Sequence, residues 1–337
     1  MPRVLQEQFS EVRLYSIAGR TLSLSTAEEW STRLVESFLG GFYYRKLDDA
    51  HADITCPIRI LRGHPPAIPT GFRSFEMEQG AFYTNGEEYH LVFDDSRVVV
   101  SGPARPRVDI WIGDGPVARH PVALVNVMSA ALQFALHRCG LSQLHAAGVV
   151  EPASGAGLLI VGDSNSGKSS LTVRLARAGW SYLSDDLLLL HEHETNIAAR
   201  ALRRTFSVSA GSIAGCELPR LEEALGSPVN SDPEKRRLDP TVVFPGGFVE
   251  SCQPKVVIFP RIAHEERTRI EGLTMSDALL RFLKVSPWAS FDADGSSYLR
   301  LIERLVRQTR AYIVHAGRDL LDDVTLAPRL FADLIND

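Results

Sequence analysis

The sequence has few cysteines and no long hydrophobic segment, and both features exclude classes of protein. Its four cysteines are widely separated, with no Cys-x-x-Cys pair and no His/Cys cluster at zinc spacing. We therefore expect reduced thiols that pack in the protein rather than a disulfide framework or a zinc site. No apolar run approaches the roughly 20 residues of a membrane helix. The opening residues, MPRVLQEQFSEV, lack the hydrophobic region of a signal peptide, which predicts a cytoplasmic protein.

The sequence also lacks an excess of basic residues. The formal net charge is −5 and the isoelectric point is near 6.1, so there is no overall positive field to attract nucleic acid or a membrane surface. A chain of 337 residues exceeds one typical domain and can bury a large core. We predict an α/β protein with a smaller strand-rich N-terminal domain over residues 1–117 and a second domain over 118–337.

The N-terminal domain shows alternating patterns between turn residues. Apolar and polar residues alternate on both sides of Ala18-Gly19, which predicts a hairpin, and a capping pattern over 25–28 predicts a short helix. Further strands are predicted at 52–61, 88–93, 97–101 and 108–112. Aromatic residues follow in a cluster: Phe72, Phe75, Phe82 and Tyr83. They suit a peptide-binding face or an ordinary core, and both interpretations are open.

One motif dictates chemistry. Residues Gly162 to Ser169, GDSNSGKS, fit G-x-x-x-x-G-K-[ST], the phosphate-binding loop, and we call them the GKS loop. A short apolar run, 158–161, precedes the loop, and a helical pattern follows it. Glycines let successive N–H groups turn inward around a polyphosphate, and the helix start adds a positive dipole end. The predicted nucleotide-binding residues are Gly162, Asp163, Ser164, Asn165, Ser166, Gly167, Lys168, Ser169 and Ser170.

Lys168 is predicted to neutralise the outer phosphates of ATP, and the Ser169 hydroxyl to ligate Mg²⁺.

A histidine lies close to this loop if two neighbouring strands pair as a hairpin. Residues 144–150 and 157–161 are apolar runs joined by a Pro/Ser/Gly turn. A register that places 150 opposite 157 places His145 opposite Gly162. A histidine there either takes part in phosphate chemistry or only ends a strand.

Two carboxylates follow the loop helix. Trp180 to Leu183 predict a short strand that ends in Ser184-Asp185-Asp186, at the sheet edge where ligands of α/β proteins collect. One carboxylate, Asp185, can hold Mg²⁺ together with Ser169, and the other, Asp186, can accept a proton from an attacking hydroxyl. Ser-Asp-Asp is also ordinary turn chemistry.

The segments LHAAGVV, GDSNSGKSS and AGWSYLSDD together resemble the catalytic domain of HPr kinase/phosphorylase and the related serine kinases. The resemblance covers roughly Leu144 to Leu190. It implies a P-loop kinase core of the HPr kinase and phosphoenolpyruvate carboxykinase type, with ATP and Mg²⁺ as cofactors. It also implies that His145 is the motif histidine and Asp186 the catalytic carboxylate.

The chain departs from the bifunctional HPr enzymes in two respects. It lacks their Glu-Arg-Gly signature and their usual N-terminal domain. It is more similar to stand-alone kinases of ribosomal-peptide biosynthesis, including those that phosphorylate lasso-peptide precursors. The predicted function is an ATP-dependent serine kinase acting on a peptide or small protein. A nucleotide-hydrolysing switch, a non-catalytic ATP sensor and the HPr phosphocarrier as acceptor stay as alternatives, and a homo-oligomer is compatible with the sequence.

Two later segments carry charge. Residues 233–240, PEKRRLDP, are the densest basic cluster and are predicted to form a loop that either clamps phosphate or is simply solvated. Gly317-Arg318-Asp319 closes a predicted strand at 311–315. There, Arg318 either reaches the nucleotide or pairs with Asp319 in the turn. Helices are predicted from the capping pattern at Thr274, over 297–309, and from about 326.

Overall fold

The computed structural model describes residues 11–26, 29–48, 53–77, 80–115, 120–229, 232–285 and 296–337. These residues form two compact units, one up to Ser142 and the other from Gln143 onward. The structure is mixed α/β, as predicted. Within the described residues, no helix combines the length and the hydrophobicity needed to cross a membrane.

The first unit is built on a sheet whose strand order is β3-β1-β2-β4-β9-β8-β7-β6-β5, the N-terminal sheet. Its strands are β1 Glu11–Ile17, β2 Arg20–Thr26, β3 Arg45–Leu47, β4 Cys56–Arg62, β5 Arg73–Met77, β6 Gly80–Thr84, β7 Tyr89–Phe93, β8 Ser96–Ser101 and β9 Arg107–Ile112. Its helices are α1 Glu29–Leu39 and α2 Pro121–Arg138. The predicted hairpin is confirmed, since β1 and β2 pair across Ala18 and Gly19, both with positive φ.

Helix α2 corrects the predicted domain division. The predicted division assigns α2 to the second domain, but its apolar surface packs on β8 and β9 of the first unit, with Met128 and Leu132 beside Ile110 in an apolar core. The division therefore lies after Ser142 and not at 117/118, two positions that themselves fall outside the described residues. An apolar helix pattern predicts burial but does not say in which core.

The aromatic cluster of the first unit divides between core and surface. Phe82 is fully buried and stacks on Phe134 of α2, with ring centroids 6.1 Å apart, whereas Phe75 is 42% exposed. Peptide recognition by this unit stays a prediction. Two residues of the predicted capping pattern, Ala27 and Glu28, lie outside the described residues.

The second unit contains three sheets. The central sheet has the order β13-β11-β12-β20-β22-β21, the β10 sheet the order β10-β14-β15-β19, and the β18 sheet the order β16-β18-β17. The strands are β10 Ser142–Leu144, which starts at the division, β11 Ala146–Val150, β12 Gly157–Val161, β13 Ser181–Ser184, β14 Leu188–His193, β15 Asn196–Ala201, β16 Phe206–Val208, β17 Leu225–Val229, β18 Asp232–Leu238, β19 Ser251–Cys252, β20 Pro254–Ile262, β21 Arg269–Gly272 and β22 Arg310–Ala316.

Two helices of this unit, the one after the GKS loop and the last one, share a core with the central sheet. The helices of this unit are α3 Lys168–Arg177, α4 Ala210–Ile213, α5 Leu221–Ala224, α6 Pro240–Val243, α7 Met275–Val285, α8 Ser296–Gln308, α9 Asp319–Asp322 and α10 Leu326–Asn336. Leu171 and Leu175 of α3, with Phe331 of α10, join one core cluster with strands β11, β12 and β20. The Thr274 hydroxyl caps α7 by accepting the Asp277 N–H at 3.2 Å, as predicted.

The direction of the central strands places their carboxyl ends at one edge. Strands β12, β20 and β22 are parallel to one another, and β11 is antiparallel to both of its neighbours, β12 and β13. Strand β13 therefore runs in the same direction as β12. The GKS loop follows β12 and the acidic pair follows β13, so both leave the sheet at the same edge.

The basic cluster corrects a second prediction. Residues 233–240 were expected to form a loop, but most of them lie in strand β18, which pairs with β16 on one side and β17 on the other. These partners are distant in sequence. The local run of prolines and charges therefore gave no indication of the pairing.

Candidate functional site

The GKS loop turns sharply from β12 into α3. Gly167 is the N-terminal cap of α3 with φ 99°, and Asn165 also has positive φ, at 64°. A Cβ added to Gly162 would lie 2.7 Å from Ser166 Oγ, so the close approach there requires glycine. Since α3 begins at Lys168, its first N–H groups point into this turn and have no partners within the helix.

Lys168 is buried in the GKS loop, with only 5% of its surface exposed. Its ammonium donates to the carbonyl oxygens of Gly162, at 2.7 Å, and Asp163, at 2.8 Å. Burial lowers the pKa of Lys168, and the charges of Asp186, Asp185 and Asp163 only partly oppose that effect. The loop thus holds a desolvated positive charge beside three carboxylates.

Ser169 and Asp185 meet at the base of the site. The Ser169 hydroxyl donates to Asp185 Oδ2 at 2.7 Å, and the Ser207 N–H donates to the same oxygen at 2.9 Å. Asp185 is 0% exposed, and its Oδ1 has no hydrogen-bond partner among the described residues. Burial, together with the charge of Asp186, raises the pKa of Asp185 to about 7, although Ser169, Ser207 and Arg203 act in the opposite direction.

Asp186 and His145 form a pair at the surface of the site. His145 Nε2 lies 2.8 Å from Asp186 Oδ1, and the two side chains are 38% and 33% exposed. Burial acts to raise the pKa of Asp186, but the hydrogen bond from His145 and the charges of His145, Arg203 and Lys168 outweigh it and hold this pKa below its usual range. Asp186 is therefore ionised at neutral pH.

The register of β11 on β12 brings His145 to the loop. Val150 pairs with Gly157 and Ala146 with Val161, which confirms the predicted register and leaves His145 one residue beyond the last pair, at the level of Gly162. The sequence predicted this proximity, but not the hydrogen bond to Asp186. That contact also depends on the antiparallel pairing of β11 with β13.

These side chains line one cleft of about 380 Å³, the phosphate cleft, which lies over the GKS loop. Of the predicted nucleotide-binding residues, those that line it are Ser164, Asn165, Gly167, Lys168, Ser169 and Ser170. His145 and Asp186 face them, while Asp185 lies beneath the cleft surface. Gly162, Asp163 and Ser166 build the loop without lining this cleft.

The opposite wall of the phosphate cleft was not predicted from the sequence. That wall contains Ser207, Ser209, Gly211 and Ser212, which come from β16 and α4. A run of small polar residues after a strand carries no specific signal, so only the pairing of β16 with β18 shows where these serines lie.

Basic side chains from β18 and from the segment between β15 and β16 lie near the acidic pair. Lys235 of β18 lines the phosphate cleft and donates to Asn165 Oδ1 at 2.8 Å. Arg203 Nε lies 3.7 Å from Asp186 Oδ2. Burial and the charge of Arg203 lower the pKa of Arg237, which lies near the same carboxylates. The site therefore offers several positive groups to an anionic ligand.

The oxygen donors at the base of the site fit a magnesium ion. Ser169 and Asp185 supply a hydroxyl and a carboxylate, the hard ligands that Mg²⁺ prefers, and the unpartnered Oδ1 of Asp185 is a buried acceptor that a cation would satisfy. Among the described residues, no group of three or more His, Cys, Asp or Glu side chains forms a metal site. This sparse donor set matches an ion that also binds phosphates and water.

Comparison with known proteins gives only a distant relationship. No protein-family model matches the chain, and no curated protein sequence matches it. Among solved structures, the chain is similar to the Hpr(Ser) kinase/phosphatase from Coxiella burnetii, with 14% identity over 58% of this chain and 88% of that chain. The TM-score is 0.29. A likeness this weak assigns no residue role, so the roles of the site residues rest on their geometry.

Proposed function

We propose that this protein is an ATP-dependent kinase that transfers the γ-phosphoryl group to a serine hydroxyl of a peptide or small protein. The observation that supports the proposal best is the meeting, in one cleft, of the Lys168 loop with the Asp186–His145 pair. A loop that binds phosphate would leave the terminal phosphate facing a carboxylate able to take a proton. A protein that only bound ATP would not need that carboxylate.

The proposed roles follow from the contacts. Lys168 would exchange its bonds with the loop carbonyls for phosphate oxygens, and the loop N–H groups would stabilise the same charge. Ser169 and Asp185 would hold Mg²⁺, which when bound neutralises charge on the phosphates. Asp186 would accept the proton of the serine hydroxyl while the hydroxyl oxygen bonds to the γ-phosphorus and the bond to ADP breaks.

His145 would keep the Asp186 carboxylate in position through their hydrogen bond. The low pKa of Asp186 suits an acceptor of the proton late in the reaction, because phosphoryl transfer passes through a loose transition state in most analyses. In that case alignment and charge stabilisation contribute more than the strength of the base. The four residues Lys168, Asp185, Asp186 and His145 would then act as one unit.

The peptide or protein acceptor is proposed from the sequence resemblance to kinases of precursor peptides. The phosphate cleft has one wall of small polar residues, Ser207, Ser209, Gly211 and Ser212, a surface suited to an extended peptide. HPr is the alternative acceptor. Magnesium, ATP as donor and the serine hydroxyl all belong to this proposal.

The test is transfer of label from γ-labelled ATP, with Mg²⁺, to a panel of serine peptides. We expect labelled phosphoserine with the wild-type protein and at least about a hundredfold slower transfer with Asp186→Asn. His145→Gln should be slower by a smaller factor, since the carboxylate stays. Release of inorganic phosphate with no labelled peptide would instead indicate a switch, and binding without turnover would indicate a sensor.

A further inference from the structure

Ser207, the middle residue of β16, lies in the phosphate cleft beside the acidic pair. Its N–H donates to Asp185 Oδ2 at 2.9 Å, and the Ser169 hydroxyl donates to the same oxygen at 2.7 Å. Phe206 and Val208, on either side, are buried in the core, so the alternation of the strand turns the Ser207 side chain towards the cleft that it lines. The backbone of Ser207 is therefore fixed beside the proposed magnesium ligands.

The Ser207 hydroxyl makes no hydrogen bond with any residue that the structure describes. The other two serines of this wall have structural contacts. Ser209 Oγ accepts the Ser212 N–H at 3.2 Å, which caps α4, and lies 3.1 Å from Ser212 Oγ. Of the three wall serines, Ser207 thus presents the hydroxyl that is available for reaction.

A cation lies across the strand pair from Ser207. The register of β16 on β18 places Ser207 opposite Arg237. Because the Ser207 N–H bonds to Asp185 and not to β18, the two residues form a pair without backbone hydrogen bonds, in which the side chains approach closely. Arg237 Nη1 is buried and has no hydrogen-bond partner among the described residues. A phosphoryl group on Ser207 would supply that partner through a charge-assisted hydrogen bond.

The same face of β18 contacts the GKS loop. Lys235, two residues before Arg237, lines the phosphate cleft and donates to Asn165 Oδ1 of the loop at 2.8 Å. The loop that would hold the phosphates is thereby joined to the strand pair that carries Ser207. Phosphates bound by the loop would face the Ser207 hydroxyl across the cleft.

We infer that Ser207 is a site of self-phosphorylation, which receives the γ-phosphoryl group of a nucleoside triphosphate when no acceptor peptide occupies the cleft. This rests on the proposed function, which places the phosphates over the GKS loop. The Ser207 oxygen would bond to the γ-phosphorus, and the bond between that phosphorus and the bridging oxygen of the leaving diphosphate would break. The hydroxyl proton would pass to Asp186.

The modification would close the cleft to its own donor. A phosphoryl group on Ser207 would occupy space needed by the terminal phosphate and add roughly two negative charges beside Asp185 and Asp186. Arg237 would hold the group there. An acceptor peptide lying along the wall would cover Ser207 and prevent the reaction, so the modification would silence an enzyme that has nucleotide but no acceptor.

Self-phosphorylation is tested by incubating the wild-type protein with γ-labelled ATP and Mg²⁺, without peptide, and digesting it with trypsin. Cleavage after Arg204 and Arg220 releases residues 205–220, which contain the three wall serines and no residue of the GKS loop. Mass spectrometry should find one phosphoryl group on this fragment, at Ser207. The labelled fraction per chain should rise at a rate that a tenfold dilution of the protein does not change, because serine and loop belong to one chain.

Three variants complete this test. Asp186→Asn should be labelled at least about a hundredfold more slowly than the wild type. Ser207→Ala should lose the label, whereas Ser227→Ala, at an exposed position of β17, is the matched control and should be labelled within about twofold of the wild-type rate.

Label at other residues only, or a rate that falls in proportion to dilution, would overturn the inference. An unlabelled protein that still phosphorylates a serine peptide would overturn the inference alone. A protein that labels neither itself nor any peptide would overturn the proposed function as well.

Binding of β,γ-imido-ATP gives a second measurement that needs no turnover. Ser207→Asp and Ser207→Asn have side chains of nearly equal size and differ by one negative charge. Calorimetry with Mg²⁺ should give a dissociation constant at least about tenfold higher for Ser207→Asp. Phosphorylated wild-type protein, separated from the unmodified form by anion exchange, gives the same comparison without a substitution. Equal dissociation constants in both comparisons would overturn the closure of the cleft by phosphorylation.

Discussion

At the scale of single residues, the buried ammonium of Lys168 dominates the site. In the free protein it is satisfied by two carbonyl oxygens of its own loop, which keeps the charge in place with its pKa lowered by burial. A cation that is already desolvated stabilises phosphate charge strongly, because little water has to be removed when the ligand arrives.

Replacing this ammonium should therefore remove activity without unfolding the protein. We predict that Lys168→Met lowers the rate of phosphoryl transfer by at least about a hundredfold. The isosteric chain keeps the packing of the loop, so the thermal midpoint should stay close to that of the wild type. Lys284→Met, at an exposed position of α7, is the control. More than a tenth of wild-type activity in Lys168→Met would contradict the role of the ammonium.

Asp185 gives a prediction about stability and pH. Its pKa is raised in the folded protein, so the folded state favours the protonated form and loses stability as pH rises from about 4, the pKa in unfolded chains, through about 7. In the absence of Mg²⁺, Asp185→Asn should be more stable than the wild type at pH 8, by on the order of 1–3 kcal/mol. The difference should shrink towards pH 5.

Thermal unfolding in a chelator at the two pH values measures this effect, with Asp322→Asn, at an exposed site, as the control. A stability difference between Asp185→Asn and the wild type that does not change with pH would contradict it.

The sequence predicted which residues lie close together only where the register of two neighbouring strands determines the contact. The spacing of two apolar runs around a short turn placed His145 at the level of Gly162, and the pairing of Val150 with Gly157 bears this out. The hydrogen bonds of Asp185 did not follow, because one of them comes from the Ser207 N–H on a strand of another sheet. No local pattern predicts a contact of that kind.

At the scale of elements, β18 connects the basic cluster to the site. Lys235 and Arg237 alternate with Arg236 along the strand, so the first two are partly buried near the acidic pair while Arg236 is exposed. Arg236 instead donates to the Gly226 carbonyl at 3.1 Å. The alternation of a strand therefore assigns different roles to three neighbouring basic residues.

This alternation predicts a difference between two adjacent substitutions. Lys235→Ala removes a cation from the wall of the phosphate cleft and its hydrogen bond to Asn165, and should raise the KM for ATP about three- to tenfold with a smaller change in kcat. Arg236→Ala, one residue further on the other face, should leave KM within about twofold. Steady-state kinetics of the two variants measure this difference. An equal rise in the KM for ATP in both variants would contradict the prediction that only the strand face with Lys235 contributes to ATP binding.

The elements that the sequence predicted well are those with strong local signals. Helix α3 and strand β12 were predicted because an apolar run, a glycine-rich turn and helical spacing coincide there. Strand β18 was missed because its residues are charged and proline-rich, and it is held by pairing with β16 and β17. Pairing between segments far apart in sequence overrides local propensity.

At the scale of the whole molecule, the chain consists of two units with different architectures. The first is a sheet of mainly antiparallel strands covered by α2, and the second contains the central sheet and the phosphate cleft. The sequence indicated two domains, but the predicted division assigned α2 to the wrong one. The strands β8 and β9 were themselves predicted. Their packing against α2 was not.

The mixed α/β class was predictable, because alternating strands and helices around a glycine-rich loop have few other solutions.

The most direct test of the central claim is a crystal structure of the protein with Mg²⁺ and β,γ-imido-ATP. We expect the triphosphate in the phosphate cleft, bonded to Lys168 and to the N–H groups of the GKS loop, with its terminal phosphate facing Asp186 and His145. An analogue bound elsewhere on the protein, with Lys168 still bonded to the carbonyls of Gly162 and Asp163, would contradict it.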